Sequence, residues 1–224
     1  MHIEPGVVDG AKLAFAAVTA AGAAGYSAKL AAEDAARSNL VSLAARTLMA
    51  AVGTFVFFEV LPHFPVGVSE VHFILGSTLF LLLGTAPAAM GLALGLLVQG
   101  LFFAPSDLPM YFVNVTTLLV PLFATAALAR RVVPADTAYV DLRYADVLKL
   151  SGVFQAGVVA WVAFWVFYGQ GVSAETFGAV LTFGGAYMLV LLIEPLADLA
   201  ALAAAKSLRH TGLGRLFAPR LYTA

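Results

Sequence analysis

The chain has no cysteine. That excludes disulfides and thiolate metal ligands, and it leaves the redox compartment open. Charge is scarce as well. Asp, Glu, Lys and Arg make up 11% of the 224 residues, where a soluble domain carries about 25%. A soluble core of this size could not cover its surface with so few polar groups, so the bilayer must be the solvent for most side chains. A basic excess is also missing. The net charge is −1, which offers no field for nucleic acid. No charged leader opens the chain: Lys12 is the only Lys or Arg in the first 28 residues, so the first residues are expected to be retained. No Gly-x-x-x-x-Gly-Lys-Ser/Thr loop occurs, so ATP-driven work needs a partner chain. There is no HExxH motif, and no Ser-His or Asp pair that would point to an intramembrane protease.

What is present is apolar. Hydrophobic residues make up 62% of the chain, and the mean hydropathy is +0.94. Seven apolar stretches can be marked, at roughly 11–30, 41–61, 72–84, 87–104, 110–129, 147–168 and 175–203. A full span needs about 20 residues. The third stretch is short and the fourth marginal. They form a hairpin broken at Gly84-Thr85-Ala86-Pro87, either as two short spans or as one re-entrant hairpin buried in protein. Eleven of the twelve Lys and Arg residues then fall on one side, at the first and fifth connections and after the last span. That side is expected to be cytoplasmic. The reading is an all-α integral membrane protein of the plasma (inner) membrane, with about seven transmembrane helices in one bundle. Its N-terminus is extracytoplasmic and its C-terminus cytoplasmic. Residues 1–10 form an outer N-terminal segment, 11–205 the helical bundle and 206–224 a cytoplasmic tail.

Met1-His2-Ile3 is the most informative tripeptide. A histidine at position two offers a terminal amine, its own amide and its ring, which close a five- and a six-membered chelate nearly in a plane. Tetragonal nitrogen sites favour Ni(II) or Cu(II). A neutral imidazole could complete the square. Any protein can open Met-His, and the tripeptide alone decides little. His72 adds to it, because the topology puts it on the same outer side. It is expected at the start of a helix that Ser69 could cap, with Glu70 in the first turn offsetting the positive helix end near a cation. A loop histidine at a membrane interface is the plainer reading of His72.

Met1-His2-Ile3 with Gly6 resembles the opening of the CbiM/NikM proteins, the substrate-specific membrane subunits of energy-coupling-factor transporters for cobalt and nickel. The usual opening is Met-His-Ile-x-x-Gly and then an aromatic residue; here Val7 follows. A longer resemblance starts at His72 and runs through Gly76, Leu79 to Leu83, Gly84, Ala88-Ala89, Gln99, Phe103 and Asn114, with offsets that agree without a gap. It covers residues 1–6 and roughly 67–120. The resemblance implies that Met1 supplies its amine, His2 its amide and ring nitrogens, and His72 a ring nitrogen to a divalent nickel or cobalt ion carried as substrate. It implies that Gln99 and Asn114 orient those ligands by hydrogen bonds; an interhelical amide bond is an equal reading of both. It also implies a transmembrane coupling subunit, a pair of cytoplasmic ATPases and, in some assemblies, a small accessory membrane subunit. The chain departs from the family pattern in three places. The family's Gly-Thr-Ser-Gly-His is one residue longer here, Thr117 stands for a second asparagine, and Pro5 takes a usually acidic position beside Glu4.

Other polar residues rank lower. His63 is read as an interface histidine before a ligand on the way in. Glu59, Glu194 and Asp198 fall in or near spans, where carboxylates are costly and hence functional candidates. Glu194 before Pro195 marks a kink and could pair with Arg46 or a partner subunit. Ala16, Ala20 and Ala24, with Ala17, Ala21 and Gly25, offer a close-packing stripe for a partner helix or an internal contact. The rival functions are a substrate subunit for another metal or small solute, an intramembrane enzyme, and an accessory membrane subunit.

Overall fold

The computed structural model of the protein describes residues 3–223. The chain runs through α1 (Lys12–Arg37), α2 (Leu40–Phe55) with a π-helical turn at Val56–Val60, and a hairpin of β1 (Phe64–Val66) and β2 (Ser69–Val71). Then follow α3 (Gly76–Leu83), α4 (Thr85–Phe102), α5 (Tyr111–Val132), α6 (Tyr144–Gln170), α7 (Ala174–Met188), α8 (Glu194–Ser207) and a last turn, α9 (Pro219–Tyr222). Among the described residues five helical segments are long and apolar enough to cross a membrane: Leu40–Val60, Thr85–Phe102, Pro105–Val132, Tyr144–Gln170 and Ala174–Ser207. Two of the seven expected spans fall outside this set. α1 has the length but is built largely of alanine and glycine. α3 has 8 residues, or about 12 Å of helix, against a hydrocarbon core of about 30 Å.

Segment 72–83 nevertheless runs along the bundle. His72 packs against Phe58 beyond the end of α2. At the other end Gly84 lies beside Arg46 and Asp34, at the α1–α2 connection. The first part is non-helical and the second is α3. Irregular backbone at membrane depth is tolerated only where protein groups satisfy it, and here they do. Gln155 Nε2 donates to the Ile74 carbonyl at 3.0 Å. At the C-terminal end of α3, Arg46 Nη1 donates to Leu83 O at 2.9 Å and the Ala218 amide to Leu82 O at 2.9 Å. Gly84 turns the chain with φ +92°, a conformation only glycine adopts at little cost.

The last apolar stretch is also discontinuous. α7 ends at Met188, a 3-10 turn spans Leu189–Leu192, and α8 restarts at Glu194 with Pro195 in its first turn. Proline suits that position because its missing N–H has no partner there anyway. The expected kink at Pro195 is thus a break between two helices. α2 packs on α4 through glycine: a Cβ at Gly91 would meet the Ala51 amide nitrogen at 2.8 Å, and one at Gly95 would meet Ala51 O at 2.7 Å. On α1 the small-residue stripe divides. Ala16, Ala20, Ala23 and Ser27 are buried within the bundle, while Ala21, Ala24 and Gly25 face outward. Lys29, Arg37, Arg46, Arg130 and Arg220 line one cleft, so the basic residues gather at one end of the molecule. The opposite end is the mouth.

Candidate metal centre

The N-terminal segment enters the mouth and is buried there. Ile3, Val7 and Val8 are at most 5% exposed. The Ile3 amide donates to Asn114 Oδ1 at 2.9 Å, Ile3 pairs with Ser69 as an antiparallel bridge, and the Glu4 amide donates to Val68 O at 3.3 Å. The chain bends at Gly6, with φ +91°. Gly169 lets the segment in: a Cβ there would run into the Val7 carbonyl. Lys12 Nζ then donates to Gly169 O at 2.6 Å, closing the entrance. Met1 and His2, the first two expected ligands, lie outside the described residues.

His72 is 1% exposed. Its Nε2 lies 2.8 Å from Glu70 Oε2. Its ring stacks on His63 with centroids 4.6 Å apart and planes 15° from parallel, and it packs against Phe58 at 4.8 Å. His63, ranked low from sequence, therefore stands at the same place. The expected helical setting of His72 is wrong. Ser69 is not a helix cap and Glu70 is not in a first helical turn; both belong to β2, paired with β1 in the register Val66↔Ser69. The physical reason is the two-residue turn Gly67-Val68. Gly67 at φ +62° takes the positive φ that such hairpin turns require, and Phe64, Val66 and Val71 favour strand. Ser69 and Glu70 still serve the mouth, one bridging Ile3 and the other holding the His72 ring.

Asn114 and Gln99 are buried on α5 and α4. Asn114 spends its oxygen on the Ile3 backbone, so it holds the N-terminal segment. Gln99 Nε2 donates to Glu59 Oε2 at 3.4 Å, and its Oε1 has no partner among the described residues. Both residues line a small crevice with Asp107 and Tyr111. Thr117 bonds only its own helix, at Val113 O. The mouth is acidic: Glu4 is pushed above its ordinary pKa by burial first, then by the charges of Glu70 and Asp107. Among the described residues no three His, Asp or Glu side chains are grouped closely enough to hold a metal ion.

Arg46 does not pair with Glu194. It is buried beside Asp34, bonding both carboxylate oxygens, Ser38, Ser42 and the Leu83 carbonyl. Glu194 sits elsewhere, among Ser77, Ser151 and Gln155. Sequence reasoning missed that grouping, and also the anchoring of the Ile3 amide, because each joins residues far apart in the chain.

These features define a multi-pass helical membrane protein with a buried N-terminal segment and a partly unwound segment meeting at one end. The chain belongs to the CbiM family, the cobalt uptake substrate-specific transmembrane region, whose family model matches residues 2–211. Two crystal structures share the fold. A transition metal transporter is 17% identical with a TM-score of 0.71, over 99% of this chain and 100% of that one. A truncated transition metal transporter is 18% identical with a TM-score of 0.70, over 94% of this chain and 99% of that one. No match is found among curated proteins. Family membership supports a part in metal transport, as a transporter component and not an enzyme.

Proposed function

We propose that this chain is the substrate-binding membrane subunit of an energy-coupling-factor ABC transporter, and that it takes up divalent cobalt or nickel. The ion binds at the mouth in a planar set of nitrogens: the Met1 amine, the His2 amide and ring, and the His72 ring. The observation that carries the reading is the hydrogen bond from the Ile3 amide to Asn114, which with the Ser69 bridge holds Ile3 against β2, the strand just before His72. Two residues span at most ~7 Å, so the first residues cannot travel far from that anchor. Acidic Glu4, Glu70 and Asp107 raise the local cation concentration at such a mouth. The metal is substrate, and affinity alone would favour copper, so selectivity rests on geometry and supply. The chain would cross the bilayer seven times, with 72–83 as a half-unwound crossing, the N-terminus outside and the C-terminus in the cytoplasm. A transmembrane coupling subunit and two ATPases would supply the energy, since the chain has no nucleotide-binding loop of its own.

The test compares one residue added before Met1 with the same residue added after Ala224, counting bound nickel and cobalt. The N-terminal extension should abolish tight binding, because it moves the amine out of its chelate. Equal metal content in the two would overturn the assignment. In addition, His72→Ala should weaken binding by at least the ~10–100-fold seen for groups that merely support a ligand. Binding should also release protons and weaken from pH ~8 to ~6, as the amine and imidazole protonate.

A further inference from the structure

The mouth leaves unused a second polar cluster deep in the bundle. Glu194 and Asp198 lie one turn apart on α8, both 0% exposed, within the membrane-crossing segment Ala174–Ser207. Ser77 Oγ lies 3.0 Å from Glu194 Oε1 and 2.8 Å from Asp198 Oδ2, with one hydrogen to share between them. Thr78 Oγ1 donates to Asp198 Oδ1. Ser151 Oγ and Gln155 Nε2 donate to Glu194 Oε2 at 2.5 and 2.6 Å. The donors come from the first turn of α3 and from α6, so both helix breaks meet at this point.

Among the described residues no Lys or Arg side chain answers these two carboxylates: the buried one, Arg46, is committed to Asp34. Hydroxyl and amide donors offset part of the charge but cannot neutralise it, and uncompensated charge at membrane depth is costly. A second observation points to a missing cation. Gln155 is 0% exposed, and both of its amide hydrogens are spent, one on Glu194 and one on the Ile74 carbonyl. Its oxygen, on the same amide, has no partner among the described residues. The buried Tyr187 hydroxyl has none either among the described residues. The Gln155 oxygen needs either the O–H of a protonated carboxyl or a cation, and one divalent cation meets it and both carboxylates together.

We propose that Glu194, Asp198, Ser77, Ser151 and the Gln155 oxygen form an inner binding site for a divalent cation. One such ion neutralises both carboxylates. The donors are all hard oxygens, in contrast to the nitrogens proposed at the mouth, and such a set suits Mn²⁺ and Mg²⁺ as well as weakly held Co²⁺. This deepens the transport reading and rests on it. The segment that begins at His72 leads to Ser77, so the inner site is a weaker station for the transported ion between the mouth and the basic end. Weak binding suits a station that must also release.

The test titrates the purified full chain with Co²⁺, followed by its visible absorption, and with Mn²⁺, followed by paramagnetic resonance. Wild type should bind one tight, His72-dependent Co²⁺ and one weaker ion that Mn²⁺ also fills. Glu194→Gln combined with Asp198→Asn preserves shape and should keep the tight equivalent while weakening the Mn²⁺ site at least tenfold. His72→Ala should do the reverse. Gln155→Leu, which leaves both carboxylates in place, should weaken the Mn²⁺ site several-fold and serves where the double variant does not fold. The inner site is overturned by a wild type that binds no second ion. It is equally overturned by Mn²⁺ binding unchanged in the carboxylate variant or in Gln155→Leu, or by a carboxylate variant that loses both equivalents alike. A wild type with the weak ion and no tight one would sink the mouth reading and leave the inner site standing.

Discussion

Asn114→Leu asks whether the N-terminal segment and the metal site are one device. Asn114 is 1% exposed and accepts the Ile3 amide at 2.9 Å. Leucine keeps the same branched heavy-atom skeleton, with bulkier ends, and suits a helix, so the change removes one acceptor and no packing. It leaves a backbone N–H without a partner in a dry place, at a cost of about 1–3 kcal/mol. Among the described residues, the bond from the Glu4 amide to Val68 O is 3.3 Å long and too weak to take over. Before metal binds, the segment should then be unseated most of the time, despite the burial of Ile3, Val7 and Val8. If the metal requires the seated segment, the same free energy should appear as a ~5–150-fold loss of nickel affinity. The assay is calorimetric titration of nickel, alongside hydrogen exchange of the N-terminal peptide. Exchange at Ile3 and Glu4 should accelerate by a similar factor. Asn114→Asp, which keeps an oxygen at the same place, should retain most of the protection. Accelerated exchange with nickel affinity within twofold of wild type would refute the coupling, and unchanged exchange would refute the anchor itself.

Four further outcomes follow from the packing. Gly169→Ala should displace residues 3–8 from the mouth and lower nickel binding at least tenfold, because its Cβ meets the Val7 carbonyl; calorimetry at equal expression checks it. Arg46→Ala should cost about 3 kcal/mol, the low end for breaking a buried pair because Asp34 keeps 22% exposure; thermal unfolding in detergent checks it, and adding Asp34→Ala should recover part of the loss. Gly91→Val should prevent α2 and α4 from closing, so the protein should be lost from membranes while Gly152→Ala, with open space around its Cβ, is tolerated. A reporter fused after Ala224 should read cytoplasmic and one at 171–173 external; the reverse at the second position would refute the crossing count.

The legible part of the fold was its composition and its breaks. Apolar runs marked the long helices, and the Gly84–Pro87 signal placed the turn between α3 and α4 correctly. The spacing from His72 to Asn114 matches a family pattern and singles out His72, but the local structure of His72 was not legible. The stretch 69–75 reads as a helix start by capping rules, yet Gly67 and the β-branched residues around it make a hairpin, which docks on Ile3 and α7. Asn114 was expected either to orient metal ligands or to make an interhelical amide bond. Its actual partner is a backbone amide 111 positions away, and no local pattern carries that information. The partner expected for Arg46 was wrong for a related reason. Glu194 seemed available because it was costly where it stood, but Asp34 is nearer along the bundle and Arg46 also caps α3.

The charges that remain in so apolar a chain follow from its broken helices. A continuous helix satisfies its own backbone, so a bilayer-embedded helix needs no polar partners. A break frees amides and carbonyls, and each one must be met by a side chain or by another backbone group. Here the unwound 72–75 segment draws in Gln155 at Ile74, and the free end of α3 draws in Arg46 and Ala218. The break between α7 and α8 puts Glu194 beside the other end of α3. Polar residues that look like liabilities in a hydropathy reading are thus placed where the backbone has already opened. Regular helices alone could hold this bundle together with fewer of them. The breaks create oriented groups at two depths, at His72 and at Glu194, and only an interior that something polar must enter has use for both.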